Sequence, residues 1–117
     1  MENPIKSKSY AFALEIVNLY KRLTSEHREF VLSKQLLRSG TSIGANVAEA
    51  IGGITKADFS AKISIAYKEA LETEYWLSLL KDAEYIEEAT FSKIHAKCVD
   101  LSKILFSILK TTGRIDR

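Results

Sequence analysis

Apolar residues along this chain recur at steps of three and four, and no stretch alternates in the manner of a strand. Ile5, Phe12, Ile16, Leu19 and Leu23 fall on one line of a helix, and Leu32, Leu36, Gly40, Ile43, Val47, Ala50 and Ile54 fall on a second. Phe59, Ile63, Ala66, Ala70, Thr73, Leu77 and Leu80 make a third line, and Phe91, Ile94, Cys98, Leu101, Leu105 and Ile108 a fourth. A stripe with steps of three and four, held over three or more turns, is the seam of a left-handed helical bundle. The pattern therefore predicts an all-α fold of four helices, roughly 6–24, 28–53, 56–83 and 88–112, in one domain covering 1–117. Short connections make neighbours antiparallel, so a left-handed, up-down-up-down four-helix bundle is expected.

The breaks between stripes agree with this division. "TSEHRE" (24–29) can end the first helix and cap the second, and Gly52-Gly53 weakens the second helix near its end. Thr55-Lys56-Ala57-Asp58 has the shape of a capping box with Asp in place of Glu or Gln. "DAEYIEEATF" (82–91) turns the chain again. Glu87 and Glu88 suit a helix N-terminus there, and Lys110 and Arg114 suit the C-terminus of the last helix.

One stretch departs from an ordinary helix. "LLRSGTSIGANVAEA" (36–50) holds two glycines, three hydroxyls, Asn46 and Glu49 inside the second stripe. At about 100° per residue, Leu36, Gly40, Ile43, Val47 and Ala50 cover the core side, while Arg38, Ser42, Asn46 and Glu49 share another side flanked by Ala45 and Ala48. Each glycine costs a helix about 1 kcal/mol relative to alanine, so close approach by another helix is the simplest compensation for Gly40 and Gly44. The polar side reads either as a solvated face or as a partly buried seam; the flanking alanines and glycines favour the seam, with Arg38 and Glu49 meeting partners from a neighbouring helix or subunit.

Chemistry that could make the stretch an active site is missing. A phosphate loop needs a Gly-Lys-Ser/Thr ending and a preceding strand, and "SGTSIGAN" has neither. Ser39, Thr41 and Ser42 lack a base, since the two histidines, His27 and His95, have no evident carboxylate to orient them. Ser78-Leu79-Leu80-Lys81 matches a Ser-x-x-Lys spacing without its companion motifs. No His, Cys or carboxylate cluster has metal-ligand spacing. No catalytic residue, metal or cofactor is expected, and the chain reads as a non-enzyme.

Composition changes this picture little. The chain has 117 residues, one cysteine and a net charge of +2. Cys98 lies on an apolar stripe and reads as a buried, inert thiol. No apolar run approaches the ~18 residues of a membrane span, and "MENPIKSKSY" lacks the apolar core of a signal peptide, so a soluble cytoplasmic protein is expected. Charge is segregated, however: residues 1–68 carry ten basic and six acidic groups, 69–88 seven acidic and one basic, and 89–117 six basic and two acidic. Such segregation serves a partner or lets copies of the chain complement each other.

Arg38-Ser39, Ser42-Ile43 and Asn46-Val47-Ala48-Glu49 resemble the signature of the bacterial four-helix-bundle family of 23S rRNA intervening-sequence proteins. The third stripe, "ADFSAKISIAYKEALETEYWLSLLKDAEYI", follows the same family's layout, so the resemblance covers nearly the whole chain. Gly44 stands where the family commonly has proline, Ala50 where it has glycine, and Glu84 where it has glycine before the Tyr. The resemblance implies an up-down bundle assembled into a homopentameric ring, and genes that in some cases lie within ribosomal RNA insertions. It also implies kinship to the accessory variability protein of diversity-generating retroelements, which binds a reverse transcriptase and nucleic acid.

Two surfaces follow from the residues themselves. On the third helix Ile65, Glu69, Glu72, Trp76 and Leu79 form a second face that one bundle does not need, so they are expected at an oligomer interface; otherwise Trp76 lies along its own surface. On the fourth helix Lys93, Lys97, Lys103, Lys110 and Arg114 face outward, interrupted by Asp100. Repeated around a ring they could contact phosphates of RNA or DNA; as an ordinary solvated face they would do nothing more. The expectation is a non-catalytic oligomeric scaffold associated with RNA or with a nucleic-acid-processing protein such as a reverse transcriptase. The alternative is direct nucleic-acid binding by the fourth helix.

Overall fold

The structure is a computed structural model that describes residues 3–112. Helices α1 (Pro4–Glu26), α2 (Leu32–Ile51), α3 (Lys56–Asp82) and α4 (Glu88–Thr111) make up most of it, and no strand occurs among the described residues. Each helix packs on its neighbours in chain order and α4 closes on α1, while the backbones of the diagonal pairs stay apart. The links between neighbours run in opposite numerical order. Lys8, Glu15 and Arg22 meet Asp100, Lys97 and Glu87. Arg38 and Glu49 meet Glu69 and Lys62, and Ser60 and Lys81 meet Thr112 and Glu88. Neighbouring helices are therefore antiparallel.

The core is built from the four stripes. Phe12, Ile16, Leu23, Leu36, Ile43, Ile63, Leu77, Leu80, Leu101 and Leu105 are buried, and Ile86 from the α3–α4 link joins them. Leu32, Phe59 and Phe91 are only partly buried and pack on its edge. Two stripe positions differ from expectation. Ile54 is 93% exposed, because α2 stops at Ile51 and the Gly52 N–H turns back to the Ala48 carbonyl. In α4 the buried place falls to Leu109, with Ile108 on its edge.

The helix ends explain the boundaries. Asn3 Oδ1 accepts from the Ile5 N–H, and Pro4 opens α1 where its missing N–H costs nothing. The second helix starts four residues later than the pattern suggests, since Arg28 is left-handed at φ 54°. Buried Glu29 then caps it, accepting from the N–H groups of Val31, Leu32 and Ser33 at 2.7, 3.0 and 2.8 Å. A carboxylate there satisfies orphan donors and opposes the positive end of the helix dipole. Thr55 Oγ1 accepts from the Asp58 N–H at 3.0 Å, which is one half of the expected capping box. Glu84 is the second left-handed residue, at φ 69°, a backbone region that favours glycine.

The two odd glycines of α2 face α1. A Cβ on Gly40 would lie 2.8 Å from Ile16 Cγ1, and one on Gly44 would lie 3.2 Å from the Ser9 carbonyl oxygen. Without side chains at these positions the two backbones come close, and the resulting packing compensates for the low helix propensity of glycine.

Candidate interaction surfaces

The polar side of α2 and the second face of α3 are one patch. The Arg38 guanidinium lies 3.3 Å from both carboxylate oxygens of Glu69 and also donates to Glu72. Trp76 Nε1 donates to the same Glu72 oxygen at 3.0 Å, and the indole meets Tyr75 edge-on at 5.0 Å between ring centroids. The Trp76 and Arg38 hydrogen bonds, in that order, hold the Glu72 carboxyl below its ordinary range, and the bond to Glu72 raises Arg38 in turn. One turn of α3 thus presents its carboxylates already neutralised from α2.

Glu49 reaches Lys62 of α3 at 2.8 Å. Both charged ends of the α2 stripe therefore have partners on the neighbouring helix. They are solvated rather than buried, with the Arg38 side chain 48% exposed. Ser42 and Asn46 do not reach across: they donate to the carbonyls of Arg38 and Ser42, at 2.6 and 2.9 Å, on their own helix. Of the α3 residues, Ile65 is exposed, Glu69 and Glu72 are held by Arg38, and Trp76 and Leu79 are half-buried, with Trp76 packed on the core.

The basic positions of α4 divide in two. Lys97 turns to α1 and pairs with Glu15 at 2.7 Å, beside Lys8–Asp100 at 3.4 Å and Arg22–Glu87 at 3.3 Å. These three ion pairs lace the α1–α4 seam. Lys93 and Lys103 are exposed and form no ion pair among the described residues. Lys110 is exposed, with its ammonium 5.7 Å from the centre of the Phe106 ring. Arg114 lies outside the described residues.

A further surface was not singled out by sequence pattern. Between α1 and α2 runs an open groove of about 760 Å³ lined by Lys6, Tyr10, Ala13, Gly44, Ala45 and Ala48 among others. It exists because the small residues of α2 that admit α1 also leave a shallow outer floor. The alanines flanking the polar stripe were the available signal.

Inside the bundle, Thr73 Oγ1 lies 2.9 Å from Ser39 Oγ, and Cys98 Sγ donates to the Ala70 carbonyl at 3.3 Å. Burial, with the charge of Glu74 second, pushes the Cys98 thiol up, so it stays protonated and unreactive. His95 stacks on Phe91 and His27 meets Tyr85 edge-on. No group of three metal-ligating side chains occurs among the described residues. No helix of the described residues is long and apolar enough to cross a membrane.

The family profile described as 23S rRNA-intervening sequence protein matches residues 1–107. The chain belongs to that family. A solved structure is similar throughout: a protein of unknown function from the S23 ribosomal protein family of Bacteroides thetaiotaomicron, 54% identical. The match covers 91% of this chain and 98% of that one with a TM-score of 0.89. Among curated proteins none matches. In this chain the stripe from Arg38 to Glu49 is an α2 surface whose two charged ends are held by α3.

Proposed function

We propose that this chain is a non-catalytic, homo-oligomeric helical scaffold, pentameric as the family resemblance implies, that works with RNA or with a nucleic-acid-processing protein. The observation that carries the reading is the set of large apolar side chains left outside a bundle whose core is already filled. Tyr10 is 67% exposed, Tyr75 59% and Leu71 44%, with Leu14, Ile65 and Phe106 also exposed. Single exposed apolar residues are ordinary, but several on adjoining turns mark a surface that a partner covers. The hydroxyls and imidazoles that a hydrolase would use are engaged otherwise: Thr41 and Ser42 donate to carbonyls of their own helix, and both histidines pack on aromatic rings.

Direct nucleic-acid binding is the second reading, favoured by the exposed Lys93 and Lys103, which no carboxylate neutralises among the described residues. A native mass spectrum of protein purified without nuclease treatment tests both. Five times the 13.1 kDa chain mass is expected. Bound nucleic-acid mass on that assembly would favour the second reading, and a monomer would overturn the scaffold.

A further inference from the structure

We propose that the Tyr67–Phe106 ring pair, set among cations of α3 and α4, is a stacking site for an unpaired base of single-stranded nucleic acid. The inference rests on the nucleic-acid reading above and names the kind of strand that the site takes.

The rings come first. Tyr67 of α3 and Phe106 of α4 lie 5.7 Å apart between centroids, with their planes at 45°. With Ser102 and Lys103 they line a shallow, open depression of about 370 Å³ where the two helices meet. Phe106 is 37% exposed and Tyr67 is half-buried, so Tyr67 supports a ring that Phe106 presents to solvent. Leu71, one turn beyond Tyr67 and also exposed, extends the apolar strip along α3. No helical stripe shows this pair, because its two members belong to different helices.

Charge selects the ligand. Lys103 borders the depression, and the Lys110 ammonium lies 5.7 Å from the centre of the Phe106 ring. Lys68, next to Tyr67 in the chain, is exposed as well. Neither Lys68 nor Lys103 has an ion pair among the described residues. The nearest carboxylates along the two helices are turned to other neighbours: Asp100 pairs with Lys8 of α1, and Glu69 and Glu72 are held by Arg38 of α2. Asp58 sits in the first turn of α3. Glu74, which has no ion pair among the described residues, stands about two turns beyond Tyr67 and bounds the site on that side.

An exposed ring among ammoniums suits a ligand that carries both flat π faces and a repeating negative charge, which is the chemistry of a nucleic-acid strand. Cations alone would favour a duplex, whose phosphates are denser. A ring adds the opposite preference, since only a base outside a duplex stack offers its face. Stacking outweighs a cation–π contact at an exposed site, so a base displaces the Lys110 ammonium from the ring.

Fluorescence anisotropy of the full chain with two probes, an unstructured single-stranded RNA and an RNA duplex of the same length, tests the site. The wild type is expected to bind the single strand more tightly than the duplex. Phe106→Leu keeps the apolar bulk and removes the π face. It is expected to weaken single-strand binding by about fivefold or more, with the salt slope and the duplex affinity unchanged. Phe106→Trp, which keeps a π face, is expected to retain the single-strand preference. Both variants are expected to keep wild-type helicity by circular dichroism, because Phe106 stands outside the buried core. Binding of neither probe by the wild type would overturn the nucleic-acid reading itself. Wild-type binding that prefers the duplex, or that Phe106→Leu leaves at full strength, would leave that reading standing on the lysines and overturn the stacking site. An equal loss on both probes would overturn it too, because a stacked base contributes to one of them alone.

Discussion

Glu72 accepts two donors that belong to different helices, the Trp76 indole of its own and the Arg38 guanidinium of α2. Its carboxyl is thereby held below the ordinary range. A carboxyl whose folded value is depressed contributes stability that is fully present above its unfolded value, about 4.3 for glutamate, and lost as pH falls through the folded value. The pair is about half exposed, so the effect on global stability is small, but the local effect can be read directly. Trp76 is the only tryptophan in the chain, and its fluorescence should follow a one-proton titration on the acid side of the ordinary carboxylate range. Glu72→Gln, which keeps the shape and removes the charge, should abolish that transition. Identical acid profiles for both proteins would show that Glu72 does not hold Trp76.

At the scale of the helices, Gly40 and Gly44 set how closely α1 and α2 pack. Gly40→Ala should gain about 1 kcal/mol of helix propensity and lose more, about 1–3 kcal/mol, by forcing a methyl into the fully buried Ile16. A net loss of up to about 2 kcal/mol is expected in the unfolding free energy from urea titration. Gly44→Ala, where the contact is a backbone oxygen at 3.2 Å, should lose less. Equal or higher stability of Gly40→Ala would mean that α1 can move away. The stripe and the need for a close neighbour were both legible in the sequence, because each depends on the period of one helix. The identity of that neighbour was not, since nothing local distinguishes α1 from α3. Arg38 illustrates the same limit: its charge asked for a partner, but Glu69 and Glu72 lie 31 and 34 positions away and read equally well as a separate face. Ile54 continued the stripe by spacing alone, and the turn at Gly52 removed it from the core. The groove escaped notice for a further reason, as it is formed by the shoulders of two helices and by neither alone.

Over the whole molecule, the surfaces separate by use. The α1–α4 seam is laced by the Lys8–Asp100, Glu15–Lys97 and Arg22–Glu87 pairs, so Lys97 serves the bundle before it can serve a phosphate. Lys93 and Lys103 have no such tie among the described residues, and Lys103 borders a shallow depression with Tyr67 of α3 and Phe106. In an assembly that leaves this face of α4 uncovered, their charge multiplies with the copy number. Each phosphate contact steepens the salt dependence of binding to single-stranded nucleic acid by about 0.7 in log–log slope. Replacing Lys93 and Lys103 with Gln should therefore flatten the slope for a single-stranded RNA probe, measured by fluorescence anisotropy, by at least about 1. Lys97→Gln should leave the slope nearly unchanged while lowering thermal stability slightly, because it frees Glu15. The opposite ranking, with Lys97→Gln flattening the slope more than the pair, would place the phosphates along the α1–α4 seam and require its ion pairs to open on binding.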